Sequence, residues 1–226
     1  MRLALLLAVL SIGCCGACAG NPRPNVSAAS RFEPDTSAVL RLGAGNHRLA
    51  HGCPLGERIA LTNAHVVLTS REFARAGNFD DPAQLFLWAT RDEAYTGKTG
   101  RVQVDQYRDL AWIESTTGPF PHYYPVASEP PAVGARLLFV GFDFRGRRVA
   151  YSERPLIATM IRLSLGRLIY RIDEGVPGSS GSCVFNERGE VVGINSAYNE
   201  LENGEIVGIG VSIAGMPVPV LPEVQR

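Results

Sequence analysis

From Arg58 onward the chain is a succession of short β-type runs with turn residues between them and no long helical pattern. The runs are Arg58–Leu61, Gln84–Ala89, Arg101–Val104, Leu110–Ile113, Arg136–Gly141, Leu156–Leu163, Leu168–Ile172, Val184–Phe185, Val191–Ser196 and Ile206–Ile213. Apolar residues make up at least half of each run, and Gly, Pro, Asn, Asp and Ser punctuate the gaps, as in sandwiches and barrels. A parallel α/β sheet would need helices between its strands, so that class is disfavoured. Glu202-Asn203-Gly204-Glu205 lies between two runs and reads as a tight hairpin with both central residues at positive φ. Arg71–Asn78 reads as one short helix, and no repeat of solenoid period occurs.

The chain has 226 residues, of which 46% are hydrophobic and 19% charged, enough apolar material for one all-β domain or two small packed barrels. Twenty-two basic residues balance 22 acidic ones, so no charge excess draws the chain to nucleic acid or anionic lipid.

Arg2, the apolar run Leu3–Ile12 and the small residues that follow form a secretory signal pattern, too short to span a bilayer comfortably. Two processing routes remain open. Ala17-Cys18-Ala19 fits an ordinary signal-peptidase site, giving a signal peptide of residues 1–19. Leu10-Ser11-Ile12-Gly13-Cys14 fits a lipoprotein box, in which residues 1–13 are removed and Cys14 is acylated, the only expected membrane link. Either route exports the protein to a periplasmic, extracellular or envelope-anchored location. Residues 20–37, rich in proline, read as an N-terminal arm. Cys53 and Cys183 remain in the mature chain, either as one disulfide or as two buried thiols.

Three segments carry chemistry. In Leu61-Thr62-Asn63-Ala64-His65-Val66-Val67 a β-type run ends in small polar residues that expose a histidine, a suitable place for a general base. In Arg108-Asp109-Leu110-Ala111-Trp112-Ile113 an acid precedes an apolar run, where its carboxylate can be buried and orient an imidazole. In Val176-Pro177-Gly178-Ser179-Ser180-Gly181-Ser182 glycines flank serines, so backbone N–H groups can converge while a hydroxyl projects. Any one of these has a bland reading as a structural histidine, a strand cap or a loop. The order His, Asp, Ser makes the three bland readings together hard to sustain.

These segments resemble the three motifs of chymotrypsin-like serine proteases, particularly the bacterial HtrA/Deg type, over roughly residues 40–215. Gly189–Ala197 is similar to the strand those enzymes lay beside the substrate, and Gly208–Ile213 to the one that follows. The resemblance implies an all-β fold of two packed antiparallel barrels, residues 38–118 and 135–226, joined by a linker over 119–134. It implies a secreted serine endopeptidase with His65 as base, Asp109 as its orienting acid, Ser180 as nucleophile, and Gly178 and Ser180 N–H groups as oxyanion donors. Asp105 is the nearby rival acid but lacks the following Leu-Ala pair. No cofactor and no metal are implied; the partners that the resemblance implies are protein or peptide substrates, and the chain is expected to be a monomer.

Departures from the family pattern also carry information. Ser179 stands where digestive members place an aspartate that pairs with a new N-terminus, and no Ile-Val-Gly-Gly motif occurs, so that activation is not expected. Asn195 stands where the glutamyl-specific branch has a histidine, so glutamate specificity is not expected. No PDZ-like sequence is expected after the barrels. Pocket walls are expected from Glu174–Pro177 and Asn195–Tyr198. An α/β-hydrolase reading fails because all four histidines precede Ser180. A pseudoprotease that binds peptides in the same cleft is the alternative. His47 and His51 are expected in surface or packing roles, Trp88 and Trp112 in the core, and Arg145–Arg148 at a hairpin tip.

Overall fold

A computed structural model describes residues 35–44, 47–68, 87–89, 96–143, 152–173 and 178–218. The chain divides into two units, Met1–Arg31 and Phe32–Arg226, and all described residues belong to the second. The signal segment, most of the arm, the 71–78 helix, the Trp88 side chain, the 145–148 tip and the 174–177 pocket wall lie outside the described residues.

Among the described residues, twelve strands form two six-stranded antiparallel barrels. The first contains β1 (Leu40–Ala44), β2 (His47–Pro54), β3 (Ile59–Thr62), β4 (Leu87–Ala89), β5 (Thr96–Asp105) and β6 (Leu110–Ser115), in the order β1-β2-β3-β6-β5-β4. The second contains β7 (Arg136–Asp143), β8 (Ser152–Ser164), β9 (Arg167–Ile172), β10 (Cys183–Phe185), β11 (Val191–Glu200) and β12 (Ile206–Ser212), in the order β10-β11-β12-β9-β8-β7. It closes through one residue pair, Phe185 opposite Leu138.

Several strands read as continuous apolar runs because both of their faces are covered. On β6, Ala111 and Ile113 fill the first barrel, while Leu110 and Trp112 enter a core shared with the second. On β7, Leu137 and Phe139 fill the second barrel, while Leu138 and Val140 enter the shared core. The two-residue period thus sorts alternate side chains into different cores, each burial contributing roughly 1.5–3 kcal/mol. The connection between barrels takes part in the packing. Phe120 enters the first barrel, Tyr124 stacks edge-on against Phe185 at 4.8 Å, and Ala127 enters the second.

Two points differ from the sequence expectation. β1 and β2 carry Gly43, Ala44, His47, Gly52 and Pro54 and lack β-branched residues, so their sequence hides them. At 202–205 only Gly204 has positive φ, and its N–H donates to Leu201 C=O at 2.8 Å. The hairpin therefore turns through a four-residue turn with glycine at its end, not through an Asn-Gly pair with both residues left-handed.

Candidate active site

β3 ends at Thr62, and a helical turn over residues 64–68 follows, which leaves His65 in its first turn at the rim. N–H groups there lack partners within the helix, and the His65 N–H donates to Asp109 Oδ1 at 3.0 Å. The ring Nδ1 lies 3.0 and 3.1 Å from the two Asp109 carboxylate oxygens. A carboxylate only accepts, so Nδ1 carries the proton and Nε2 is left as the basic nitrogen. The His65 side chain is 46% exposed, open to a substrate on that side.

Asp109 opens β6 from a turn that its neighbour organises. Asp105 Oδ1 accepts the Arg108 N–H at 3.0 Å, and Arg108 Nε donates to Asp105 Oδ2 at 2.9 Å. The rival acid is thus spent on the turn, not on the imidazole. Asp109 itself has φ 61°, a conformation few residues but Gly, Asn and Asp adopt. Buried Asn63 holds it there, its Nδ2 donating to Asp109 C=O at 3.1 Å. Ser196 Oγ donates to Asp109 Oδ2 at 2.6 Å. Burial works to raise the Asp109 carboxyl, but the hydrogen bonds from His65, Ser196 and the His65 N–H together outweigh it. The group therefore titrates below its ordinary range.

Ser180 sits between two glycines at positive φ, Gly178 and Gly181 (80° and 83°). A Cβ at Gly181 would overlap the His51 carbonyl, so the loop approaches β2 as closely as only glycine permits. β2 grips the loop in return. The His51 N–H donates to Ser180 C=O and its Nδ1 to Gly178 C=O, both at 2.8 Å. From β11, Asn195 C=O accepts the Gly181 N–H at 2.9 Å. Ser182 Oγ points inward and accepts the Val140 N–H at 3.0 Å. Ser180 Oγ donates to Ser196 C=O at 3.0 Å. Among the described residues the Gly178 and Ser180 N–H groups donate to no protein acceptor.

His65 and Asp109 are thus in direct contact, and Ser180 joins them through Ser196, which touches both the acid and the nucleophile. Ser196, Asn63 and His51 are the residues that sequence reasoning missed. Ser196 lies in the segment resembling a substrate strand, and Asn63 within the histidine motif. His51 is fully buried and bonded to the nucleophile loop, so of its two expected roles, surface or packing, the surface one does not hold. Two residues beyond it, Cys53 on β2 is bonded to Cys183 on β10, with Cα atoms 5.1 Å apart. The pairing left open by the sequence is a disulfide between the barrels, close to the site.

A family model described as trypsin-like peptidase domain matches residues 50–194. No curated protein sequence matches the chain. Among solved structures, the serine endoprotease from Yersinia pestis is 20% identical with a TM-score of 0.58, over 79% of this chain and 60% of that one. The chain therefore spans less than two thirds of that protein's length. The MamO protease domain from Magnetospirillum magneticum is 19% identical with a TM-score of 0.57, over 80% of this chain and 95% of that one. A protease from M. tuberculosis in its active form is 18% identical with a TM-score of 0.58, over 80% and 79%. At these identities the likeness establishes the two-barrel fold.

Proposed function

The chain belongs to the trypsin-like peptidase domain family, and from that premise we propose an exported serine endopeptidase acting through His65, Asp109 and Ser180. The observation that supports this most is the imidazole held by both Asp109 oxygens through Nδ1, which leaves Nε2 as base. For attack, the Ser180 hydroxyl turns from Ser196 C=O to His65 Nε2. Its proton passes to Nε2 as Oγ bonds the scissile carbonyl carbon, and the carbonyl oxygen becomes an oxyanion. The Gly178 and Ser180 N–H groups receive that charge. His65 then protonates the amine as the C–N bond breaks, leaving an acyl-enzyme on Ser180. Water, deprotonated by the same imidazole, releases the acid. Asp109 remains ionised throughout and stabilises the imidazolium.

The signal pattern and the Cys53–Cys183 bond both support the reading of an oxidising compartment outside the cytoplasm. The mature protein, incubated with a peptide library and read by mass spectrometry, should cut internal bonds, and Ser180→Ala should cut none. Peptides retained but left whole by the unmodified protein would establish the binding-only alternative instead.

A further inference from the structure

A buried network without formal charge stands behind the nucleophile loop. Asn195 on β11, 3% exposed, bonds the loop at four points. Its N–H donates to Ser182 C=O and its C=O accepts the Gly181 N–H, both at 2.9 Å. Its Nδ2 donates to Ser179 C=O at 3.0 Å and to Ser179 Oγ at 2.9 Å. The amide is oriented this way by Tyr170 on β9, whose hydroxyl donates to Asn195 Oδ1. Burial pushes the Tyr170 phenol far above its ordinary range, so it remains a donor. Gly208 lies opposite Tyr170 on β12, and a Cβ there would overlap the ring. The sheet is cut back to admit this one side chain.

The Ser179 carbonyl and the Ser180 N–H are the two ends of one planar peptide unit and point in opposite directions. The Ser179 C=O accepts the Ser182 N–H at 3.1 Å from within the loop and Asn195 Nδ2 from β11, so the Asn195 amide is the donor from outside the loop that holds the carbonyl on the core side and the N–H toward the cleft. We infer that Asn195, oriented by Tyr170, is a positioning residue that aims the Ser180 N–H at the oxyanion. The inference rests on the proteolytic reading above. Ser179 occupies the place where an aspartate would require a cationic partner. The Ser179–Asn195–Tyr170 contacts are all between neutral groups and need none.

The test compares the mature protein with its Asn195→Ala and Tyr170→Phe variants, each normalised to sites titrated by a fluorophosphonate. Losing one aimed oxyanion donor costs about 10²–10³ in kcat, so Asn195→Ala should lose about 10²-fold in kcat per titrated site while KM changes only a few-fold. Affinity for a peptide aldehyde, whose hemiacetal oxygen occupies the oxyanion position, should fall in parallel with kcat. Tyr170→Phe removes one hydroxyl and leaves the amide free to turn, so it should lose about tenfold in kcat per site. A role confined to stability would lower the number of titratable sites and leave turnover per site unchanged. That result in Tyr170→Phe, or in Asn195→Ala, overturns the inference while the protease reading stands. An unmodified protein that neither titrates nor cleaves overturns both.

Discussion

Replacing Cys53 and Cys183 together by alanine tests how the two barrels are held to each other. The bond joins β2 to β10 across 130 residues of chain, and both cysteines are fully buried. Closing a loop of that length removes unfolded-state entropy worth about 5 kcal/mol in the chain-entropy model. Deleting two packed sulfur atoms adds roughly 1 kcal/mol each, by analogy with a buried methylene. The double variant should therefore lose about 5–7 kcal/mol. In a domain of this size 1 kcal/mol corresponds to about 2–4 °C in Tm, so the midpoint should fall by about 10–28 °C. Urea titration followed by fluorescence of buried Trp112, together with calorimetry, measures the loss. The reduced unmodified protein should resemble the variant, differing only by the packing contribution. A loss below about 1 kcal/mol would show that the bond does not constrain the unfolded chain and would refute the entropy argument.

Asp109→Asn should lower kcat by about 10⁴-fold, with the fold intact because asparagine also tolerates the φ of 61° at that position. Asp105→Asn disturbs only the turn around Arg108, so in steady-state assays it should cost far less; the reverse ranking would reassign the acid. The lowered Asp109 carboxyl makes a second measurement possible. A depressed folded-state group contributes stability above its unfolded value of 3.8 and loses it as pH falls through the folded value. The Tm difference between the unmodified protein and Asp109→Asn should therefore shrink once the pH drops below 3.8, and a difference that stays constant would contradict the shift.

The β architecture was legible because most strands announce themselves with aliphatic runs. β1 and β2 did not, since their stability comes from pairing with neighbours and not from residue type. The histidine, acid and serine segments were legible because each carries a local chemical pattern. What surrounds them was not. Ser196 reaches Asp109 across 87 positions, and His51 reaches Gly178 across 127. No local pattern marks such partners, because only the closing of two barrels brings them together. The disulfide was open for the same reason, since its geometry depends on how β2 and β10 meet. Asn195 appeared in the sequence as a departure from a specificity pattern and as the start of an expected pocket wall, and its place behind the loop comes from the register of β11.

Labelling the mature protein with a fluorophosphonate, then mapping the adduct by peptide mass spectrometry, tests the catalytic assignment most directly. The geometry predicts one adduct, on Ser180, absent in Ser180→Ala and formed faster as the pH rises from acid toward neutral, because only a neutral imidazole accepts the proton. An adduct on Ser179 or Ser182, or no adduct on folded protein, would contradict it.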